Sequence, residues 1–487
     1  MGSRGITSVG TYVPRSRLKR STIANATAWA NPAAARATGA CAVCNWDEDS
    51  ITLAVAAAGA CVAPEQRLQV DAVWLASTTL PFADRDNAVV VAQALALRED
   101  VRTLTSGGSR RGATSALLAA LESAASRPGA QLVVASDRRA AKPGSDQELK
   151  YGHAAAAVCV GQGALLAEFL GSASLAADLV DQYRASGASF DYALEERWVR
   201  DEGFLKLVPR AIGAALASAG IGASDVSLLA FAGPSAVARR IAQAAGLSSA
   251  QSALAERLEE SCGDTGAAHP LLLLALALEQ CKTGQIVLLV GFGQGVDAIV
   301  LRASAASSQL AKQRPLQHQL DGGVDEPHYL RHLSNSALVE IDWGMRAERD
   351  NRTAHSVAWR RRDEIGAFVG GRCRECGTVQ FPRARVCVNP DCRATDTLEP
   401  HPLAHSRGRV KSFTEDWLAF TPRPPLIYGN VELEGGGNLM MEMTDVEPGE
   451  LAVGTSVRMA MRIKDLDRTR GFRRYFWKAA PVAARGS

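Results

Sequence analysis

Long hydrophobic runs are missing from this sequence of 487 residues. Apolar stretches such as Pro270–Leu278 are far shorter than the roughly 20 residues that a transmembrane helix needs. After Met1–Arg4 the chain enters a strand-like segment, Gly5–Tyr12, where a signal peptide would have its apolar core. We therefore expect a cytoplasmic protein that has no membrane partner.

A strong net charge is also missing, because 54 lysines and arginines face 51 aspartates and glutamates, which gives a formal net charge of +3. Such a chain is not steered as a whole toward nucleic acid. Hydrophobic residues make up 47% of the sequence and charged residues 22%, so a disordered or fibrous chain is excluded. At roughly 100–200 residues per domain, the length predicts two to four globular domains.

The first 305 residues alternate predicted strands and helices, and this order occurs twice. The repetition predicts an internal duplication, with two similar α/β layers packed face to face and halves of about 1–170 and 171–305. Apolar periodicity supports both halves. The predicted helices are Ile51–Val62, Asn87–Leu97, Arg111–Ala125, Phe204–Ala219, Ala236–Ala245 and Ala267–Cys281. The predicted strands are Val70–Ser77, Gln131–Ser136, Ala154–Val160, Ala164–Leu170, Val226–Phe231, Ile286–Gly291 and Val296–Arg302.

The composition changes after residue 305. Residues 306–328 are polar and rich in glutamine, and they contain Pro315 and a Gly322-Gly323 pair, which predicts a linker. Residues 329–370 contain a basic segment that favours helix, Tyr329–Arg362. Beyond Gly370 the chain has short alternating segments separated by proline and glycine, a pattern that is typical of a small β-barrel.

Four of the ten cysteines are crowded between residues 373 and 392. They form two pairs, Cys373/Cys376 and Cys387/Cys392, and this spacing can bring four thiolates to the corners of a tetrahedron. Four protein ligands leave no open coordination position, so we predict a structural zinc ion, with iron as the main alternative. The lone pair Cys41/Cys44 indicates free thiols, and four unliganded thiols in so compact a cluster are not expected.

Several motifs resemble the hydroxymethylglutaryl-CoA synthase branch of the thiolase superfamily. They are Trp46–Val55, Leu75–Thr79, Gly107–Gly112, Gly263–Ala268 and Val290–Gly295. From about Tyr329 to Ala480 the chain resembles the small thiolase-partner domain, which has a helical hairpin, a zinc ribbon and an OB-fold. The resemblance implies an α/β fold with five layers and internal duplication over residues 1–305, a zinc ribbon over 371–398 and an all-β OB-fold barrel over 399–487.

The resemblance also implies where catalytic groups belong. In this family a cysteine at the start of a buried helix attacks an acyl-CoA thioester, but the pattern Cys-x-x-Gly falls here on Ser109–Gly112. The family's glutamate falls on Thr78, its histidine on Ala232–Pro234, and its asparagine on Asp264. All four chemical groups are replaced in this chain.

Each replacement allows a catalytic and a structural interpretation. Ser109 is either a nucleophile, which would need an adjacent base, or a small residue that caps a helix. Asp264 is either a catalytic carboxylate or an N-cap, and Thr78 is an acid or a packing residue. His269 is either a base within reach of the site or a structural histidine.

The segment Arg458–Lys478 combines eight basic residues with aromatic ones, and it allows three interpretations. On an OB-fold such residues can bind single-stranded nucleic acid, hold the phosphates of CoA, or pack the barrel against the thiolase-like part. The fusion to a thiolase-like domain favours the last two.

These observations predict an acyl-CoA-dependent protein that forms or cleaves carbon–carbon bonds without the usual cysteine, either as an aldolase or as a serine-dependent acyltransferase. A coenzyme A thioester is then the substrate. The alternative is a catalytically degenerate thiolase-like subunit that acts as a scaffold for a partner thiolase. We also expect a homodimer through residues 1–305.

Overall fold

The computed structural model describes residues 3–127, 129–247, 253–342 and 354–482. The chain divides into two compact units. The first comprises residues 1–45, 49–91 and 98–332, and the second comprises residues 46–48, 92–97 and 333–487. The short segments 46–48 and 92–97 therefore belong to the same unit as the C-terminal third of the chain.

Strands and helices alternate through the first unit. Its strands are β1 (Arg4–Tyr12), β2 (Ser16–Lys19), β3 (Ala40–Val43), β4 (Val70–Ala76), β5 (Arg102–Ser106), β6 (Ala130–Asp137), β7 (Ala154–Gln162), β8 (Ala167–Ala176), β9 (Gln182–Tyr183), β10 (Tyr192–Ala193), β11 (Val226–Phe231), β12 (Ile286–Phe292), β13 (Gly295–Ala303) and β14 (Val324–Asp325). Its helices are α1 (Arg20–Thr27), α2 (Ser50–Cys61), α3 (Asn87–Ala94), α4 (Gly112–Ser123), α5 (Glu196–Trp198), α6 (Leu205–Ala219), α7 (Ser235–Ala244), α8 (Ala253–Ser261), α9 (His269–Gln280), α10 (Ser307–Gln313), α11 (Pro315–Asp321) and α12 (Tyr329–Asn335), of which α3 and α12 run on into residues of the second unit.

A nine-stranded sheet carries the internal duplication that the sequence predicts. Its strand order is β11-β12-β13-β8-β1-β7-β6-β4-β5. On one side β4, β5 and β6 are parallel and are followed by antiparallel β7 and β1. On the other side β11 and β12 are parallel and are followed by antiparallel β13 and β8. Two residue pairs between β1 and β8 join the two halves.

Buried helices cover this sheet. Every residue of α9 except Gln280 is buried, and α2 is buried along most of its length, so both helices are apolar on nearly all sides. Helix α2 begins with a capping box, in which the Asp49 carboxylate accepts hydrogen bonds from the backbone amides of Ile51 and Thr52 at 3.0 Å. Because α2 and α9 are surrounded by protein, their sequences are rich in alanine and leucine.

The predicted linker over residues 306–328 is wrong. This interval contains α10, α11 and β14, and Leu316 and Leu320 of α11 are buried in the core of the first unit. The side chain of Gln319 hydrogen-bonds the backbone at Thr11 and Val13. A polar, glutamine-rich composition was misleading because two buried leucines on one helical turn are enough to fix a short helix.

In its described residues the second unit forms two small sheets, and two short helices precede them. Its helices are α13 (His355–Arg360) and α14 (Arg362–Ile365), and its strands are β15 (Val369–Cys373), β16 (Val379–Gln380), β17 (Leu398–Pro402), β18 (Arg407–Asp416), β19 (Leu426–Leu433), β20 (Asn438–Glu442), β21 (Ser456–Asp467) and β22 (Phe472–Pro481). Strands β16-β15-β17 form one sheet, and β20-β19-β18-β21-β22 form the other. A bridge between Met443 and Ala479 brings the two ends of the five-stranded sheet together, so the barrel is nearly closed. Part of the predicted helical segment, residues 343–353, lies outside the described residues.

Candidate functional site

Ser109 lies in the turn between β5 and α4, three residues before the helix begins. Its hydroxyl donates a hydrogen bond to the backbone carbonyl of Gly293 at 3.0 Å and accepts one from the amide of Arg111 at 3.2 Å. A Cβ atom on Gly293 would lie 2.8 Å from the Ser109 hydroxyl, so a side chain at this position would displace that hydroxyl. The hydroxyl is thus occupied by the backbone at both its donor and its acceptor side.

Thr78 follows the end of β4 and donates hydrogen bonds to a buried carboxylate. The Asp137 side chain is fully buried and accepts hydrogen bonds from the Thr78 amide at 2.7 Å and from the Thr78 hydroxyl at 2.9 Å. The hydroxyls of Ser77 and Thr79 and the amide of Ala267 donate to the same carboxylate. Five donors therefore satisfy the buried carboxylate of Asp137, and Thr78 supplies two of them.

Two guanidinium groups hold the carboxylate of Asp264. Arg110 Nη1 lies 3.0 Å and Arg139 Nη1 lies 3.2 Å from Asp264 Oδ2, while Oδ1 accepts a hydrogen bond from the Gly266 amide at 2.9 Å. Burial alone would raise the pKa of Asp264, but Arg139 and Arg110 outweigh burial and hold the pKa well below its ordinary value. The Gly266 contact lies in the turn before α9, whose N-cap residue is Ala268, so Asp264 does not cap that helix.

The same two arginines extend the network to the loop that carries β9 and β10. Arg110 Nη2 lies 2.6 Å from Asp181 Oδ2, and Arg139 Nη2 lies 2.9 Å from Asp191 Oδ2. Arg184 pairs with Asp191 at 2.9 Å. Three arginines therefore face three aspartates, so the network carries no net charge.

Tyr151 completes this network. The guanidinium carbon of Arg139 lies 3.5 Å from the centroid of the Tyr151 ring, and the Tyr151 hydroxyl lies 3.2 Å from Asp191 Oδ2. The Arg139 side chain is fully buried. Since a buried guanidinium is costly unless carboxylates surround it, Asp191 and Asp264 are needed to hold Arg139 in place.

The histidines close to this network are neutral. His269 is the first residue of α9, and its Nδ1 lies 3.3 Å from the Thr265 hydroxyl; burial lowers its pKa. His153 accepts a hydrogen bond from the Cys44 amide on Nδ1 at 2.9 Å, and its Nε2 lies 3.0 Å from the Arg139 carbonyl. Burial lowers the pKa of His153 to about 3. Among the described residues, neither histidine hydrogen-bonds Ser109.

The cysteines of the first unit are buried thiols. Six of them lie there, and none is exposed to solvent: Cys41, Cys44, Cys61, Cys159, Cys262 and Cys281. Burial raises the pKa of Cys262 to about 12 and that of Cys281 to about 11. A protonated, buried thiol is a poor nucleophile. Neither Cys262 nor Cys281 therefore replaces the nucleophilic cysteine of the family.

The second unit gathers its cysteines into one cluster. The sulfur atoms of Cys373, Cys376, Cys387 and Cys392 all lie within 4.8 Å of one another, and the closest pairs are 3.6 Å and 3.9 Å apart. A zinc ion bound by four sulfurs at about 2.3 Å separates neighbouring sulfurs by roughly 3.8 Å. The donor set and its spacing therefore fit a tetrahedral thiolate site with no open position.

The basic and aromatic segment of the barrel places its aromatic rings against the protein rather than in solvent. Tyr475 and Trp477 are both buried, and the Trp477 indole donates a hydrogen bond to the Gly366 carbonyl at 2.9 Å. Phe476 packs against Phe368, with ring centroids 5.9 Å apart. Aromatic rings that stack nucleic acid bases must be exposed, so these residues do not form such a surface.

Sequence reasoning missed several residues of the first unit's network. Asp137 ends strand β6, and Arg139, Asp181 and Asp191 lie in loops, so their approach to one another depends on the tertiary fold. Arg110 could have predicted the network. Two arginines directly follow the nucleophile position, and arginines that are buried there need carboxylates nearby.

The two units of the chain are similar to different known proteins. Residues 363–399 match the family model of the ChsH2 rubredoxin-like zinc ribbon domain, and residues 401–462 match that of the ChsH2 C-terminal OB-fold domain. A DUF35 domain-containing scaffold protein of Methanocaldococcus jannaschii is 29% identical over 128 residues, which cover 26% of this chain and 89% of that protein.

The N-terminal part has different relatives. The hydroxymethylglutaryl-CoA synthase of Methanopyrus kandleri is 26% identical over 330 residues, covering 64% of this chain and 91% of that enzyme. The structure of MvaS in complex with 3-hydroxy-3-methylglutaryl coenzyme A has a TM-score of 0.59 at 19% identity and covers 69% of this chain and 92% of that one.

The first unit thus has a thiolase-like α/β fold of the type found in hydroxymethylglutaryl-CoA synthases. The chain joins this fold to a zinc ribbon and an OB-fold barrel of the ChsH2 type. No helix within the described ranges is both long enough and apolar enough to cross a membrane.

Proposed function

We propose that this chain is a catalytically degenerate thiolase-fold subunit, which acts as a scaffold for an active thiolase-fold partner. The observation that carries the proposal is the neutral ion-pair network beside Ser109. Asp264 stands where the family resemblance expects an asparagine, and its carboxylate is paired with Arg110 and Arg139.

Catalysis by Ser109 lacks a base. A serine hydroxyl becomes a useful nucleophile only when an adjacent group removes its proton. The contacts of Ser109 are the Gly293 carbonyl and the Arg111 amide, neither of which can accept that proton. This argues against the acyltransferase that the sequence allowed.

Catalysis by Asp264, which the aldolase hypothesis required, is also disfavoured. A general base works best when its pKa lies near the working pH. Arg139 and Arg110 hold the pKa of Asp264 far below that range, and both carboxylate oxygens already accept hydrogen bonds. Binding of a coenzyme A thioester without turnover is compatible with this arrangement and forms part of the proposal.

The scaffold role rests on the second unit. The DUF35 relative is named a scaffold protein, and the match of 128 residues covers 89% of it. We propose that Cys373, Cys376, Cys387 and Cys392 hold a structural zinc ion, which contributes folding energy to the ribbon and leaves no position for substrate. A cytoplasmic location and a homodimer through the thiolase-like part remain predictions.

The test combines binding and turnover. Purified chain is mixed with a thiolase-fold enzyme that retains its cysteine and comes from the same genome, and complex formation is followed by light scattering after size exclusion. A stoichiometric complex whose condensation activity belongs to the partner supports the scaffold. Turnover of acyl-CoA by this chain alone, lost in Asp264→Asn but kept in the exposed control Asp178→Asn, would contradict it.

A further inference from the structure

The tripeptide Trp46-Asp47-Glu48 belongs to the second unit, although its neighbours in sequence, Asn45 and Asp49, belong to the first. Asp47 and Glu48 are both 2% exposed. Two adjacent acidic residues are rarely buried unless cations pair with them. The tripeptide therefore indicates a built site for carboxylates within the second unit.

The barrel contacts the tripeptide through cationic side chains, a hydroxyl and a backbone amide. Asp47 Oδ2 lies 3.0 Å from Lys478 Nζ and accepts a hydrogen bond from the Thr444 hydroxyl at 3.1 Å. Arg462 Nη2 lies 3.2 Å from Glu48 Oε1. The amide of Ile463 donates to the Asp47 carbonyl at 2.8 Å.

Trp46 adds an aromatic contact to these ion pairs. The ammonium nitrogen of Lys478 lies 4.5 Å from the centroid of the Trp46 ring, within the range of a cation–π interaction. Lys478 is thus held by a carboxylate and by an aromatic ring from two successive residues.

The carboxylates of the tripeptide join ion pairs that the barrel forms with its own acidic residues. Four connected cations, Arg458, Arg462, Lys464 and Lys478, pair with two acidic residues of the barrel, Glu442 and Asp445. Arg462 and Lys478 are 1% and 4% exposed at their side chains. An uncompensated buried cation is strongly unfavourable, and each of these two cations is held by one carboxylate of the barrel and by one of the tripeptide: Arg462 by Asp445 and Glu48, and Lys478 by Glu442 and Asp47.

Strand register places the two buried cations on one face. Lys478 of β22 lies opposite Ala460 of β21, and Arg462 lies two residues further along β21. Residues directly opposite each other and residues two apart share a face of the sheet. The cations therefore form a fixed pair that two adjacent acidic side chains can reach together.

We propose that this face of the OB-fold barrel is a binding site for a diacidic peptide with an aromatic residue before the two acids, and that Trp46–Glu48 occupies it in this chain. The site is separate from the ion-pair network beside Ser109. It does not depend on the scaffold function, since it follows from the contacts of the second unit alone.

The first test is a double-mutant cycle in the full chain, measured by hydrogen–deuterium exchange of β21 and β22. Asp47→Asn and Lys478→Met should each raise exchange about tenfold or more, because each leaves a buried partner without its opposite charge. The double variant should exchange far less than the sum of the two single effects predicts. Additive effects would overturn the proposal.

The second test asks whether the site binds its peptide in trans. The full chain carrying Trp46→Gly, Asp47→Gly and Glu48→Gly is mixed with a blocked peptide of residues 45–48 at about 1 mM, a concentration at which weak peptide binding is measurable. The peptide should restore protection of β21 and β22, whereas a matched peptide with Asn and Gln in place of the two acids should not. Equal protection by both peptides, or by neither, would overturn the proposal.

Discussion

The two units treat their charged and sulfur-containing side chains in opposite ways. The first unit pairs three arginines with three aspartates from its own loops and buries its six cysteines separately. The second unit gathers four thiols into one metal-ligand cluster, and residues 46–48 add two carboxylates to the ion pairs of its buried cations Arg462 and Lys478. The first unit therefore compensates its charges among its own loops, whereas the second does so in part with a short segment that is distant in the sequence.

The largest effect should come from the cysteine cluster. Cys376→Ser should release zinc and unfold the ribbon around β15 and β16, because the binding energy of a structural zinc site is also folding energy. Cys281→Ala, a matched change at a buried thiol of the first unit, should cost only about 1 kcal/mol, in the range of ordinary point substitutions. Metal analysis and thermal unfolding of both variants measure the difference. Full zinc content and an unchanged ribbon in Cys376→Ser would contradict a four-thiolate site.

The next effect should come from the first unit's arginine network. Arg139→Met should lower the free energy of unfolding by about 3 kcal/mol, because it leaves buried carboxylates without their partner. Adding Asp191→Asn should recover part of this loss. Chemical denaturation of the single and double variants gives the coupling. If Asp191→Asn only adds to the loss, the two residues are not coupled in the way the network requires.

His153 and Asp264 should lose their contributions to the free energy of unfolding in different pH ranges. The pKa of His153 is lowered to about 3 in the folded state, so its contribution is complete above the unfolded pKa of about 6.5 and is lost as pH falls toward 3. The pKa of Asp264 is also lowered, so its contribution is complete above about pH 4 and is lost only at more acidic pH.

Denaturant titrations at several pH values test this order. His153→Gln should flatten the decline between pH 6.5 and 4, whereas Asp264→Asn should flatten it only below about pH 4. An unchanged pH profile in His153→Gln would show that burial of the neutral imidazole does not set the first part of the decline.

The smallest effect should come from Ser109. Ser109→Ala removes a hydrogen bond to the Gly293 carbonyl, so the free energy of unfolding should fall by about 1 kcal/mol. The exposed control Ser126→Ala should change it by less than about 0.5 kcal/mol. Thermal unfolding resolves both variants. A loss of several kcal/mol in Ser109→Ala would mean that the hydroxyl has a larger role in the fold than its two contacts explain.

Strong periodicity made much of the fold predictable from the sequence. Strand Val226–Phe231 was predicted with the bounds that the structure has, and the duplicated order of strands is confirmed. Cysteine spacing likewise predicted the cluster of four sulfurs. The linker prediction failed because composition does not reveal that Leu316 and Leu320 reach the core.

The candidate site was less predictable, because its residues meet only in three dimensions. Motif positions led to Ser109, Thr78 and Asp264 but not to Arg139 or Asp191, which lie in loops without a local pattern. The same limit applies to Asp47, whose partner Lys478 is 431 residues away in the sequence. Charge balance between distant segments is a property of packing, and a single sequence does not display it.

The central claim is that the first unit does not catalyse acyl transfer or carbon–carbon bond chemistry by itself. The most direct measurement incubates pure protein with a panel of acyl-CoAs and follows CoA release together with intact protein mass. We predict no release above the uncatalysed rate and no acyl adduct on the protein. Release of CoA with an adduct that disappears in Ser109→Ala, or turnover that disappears in Asp264→Asn, would contradict the claim.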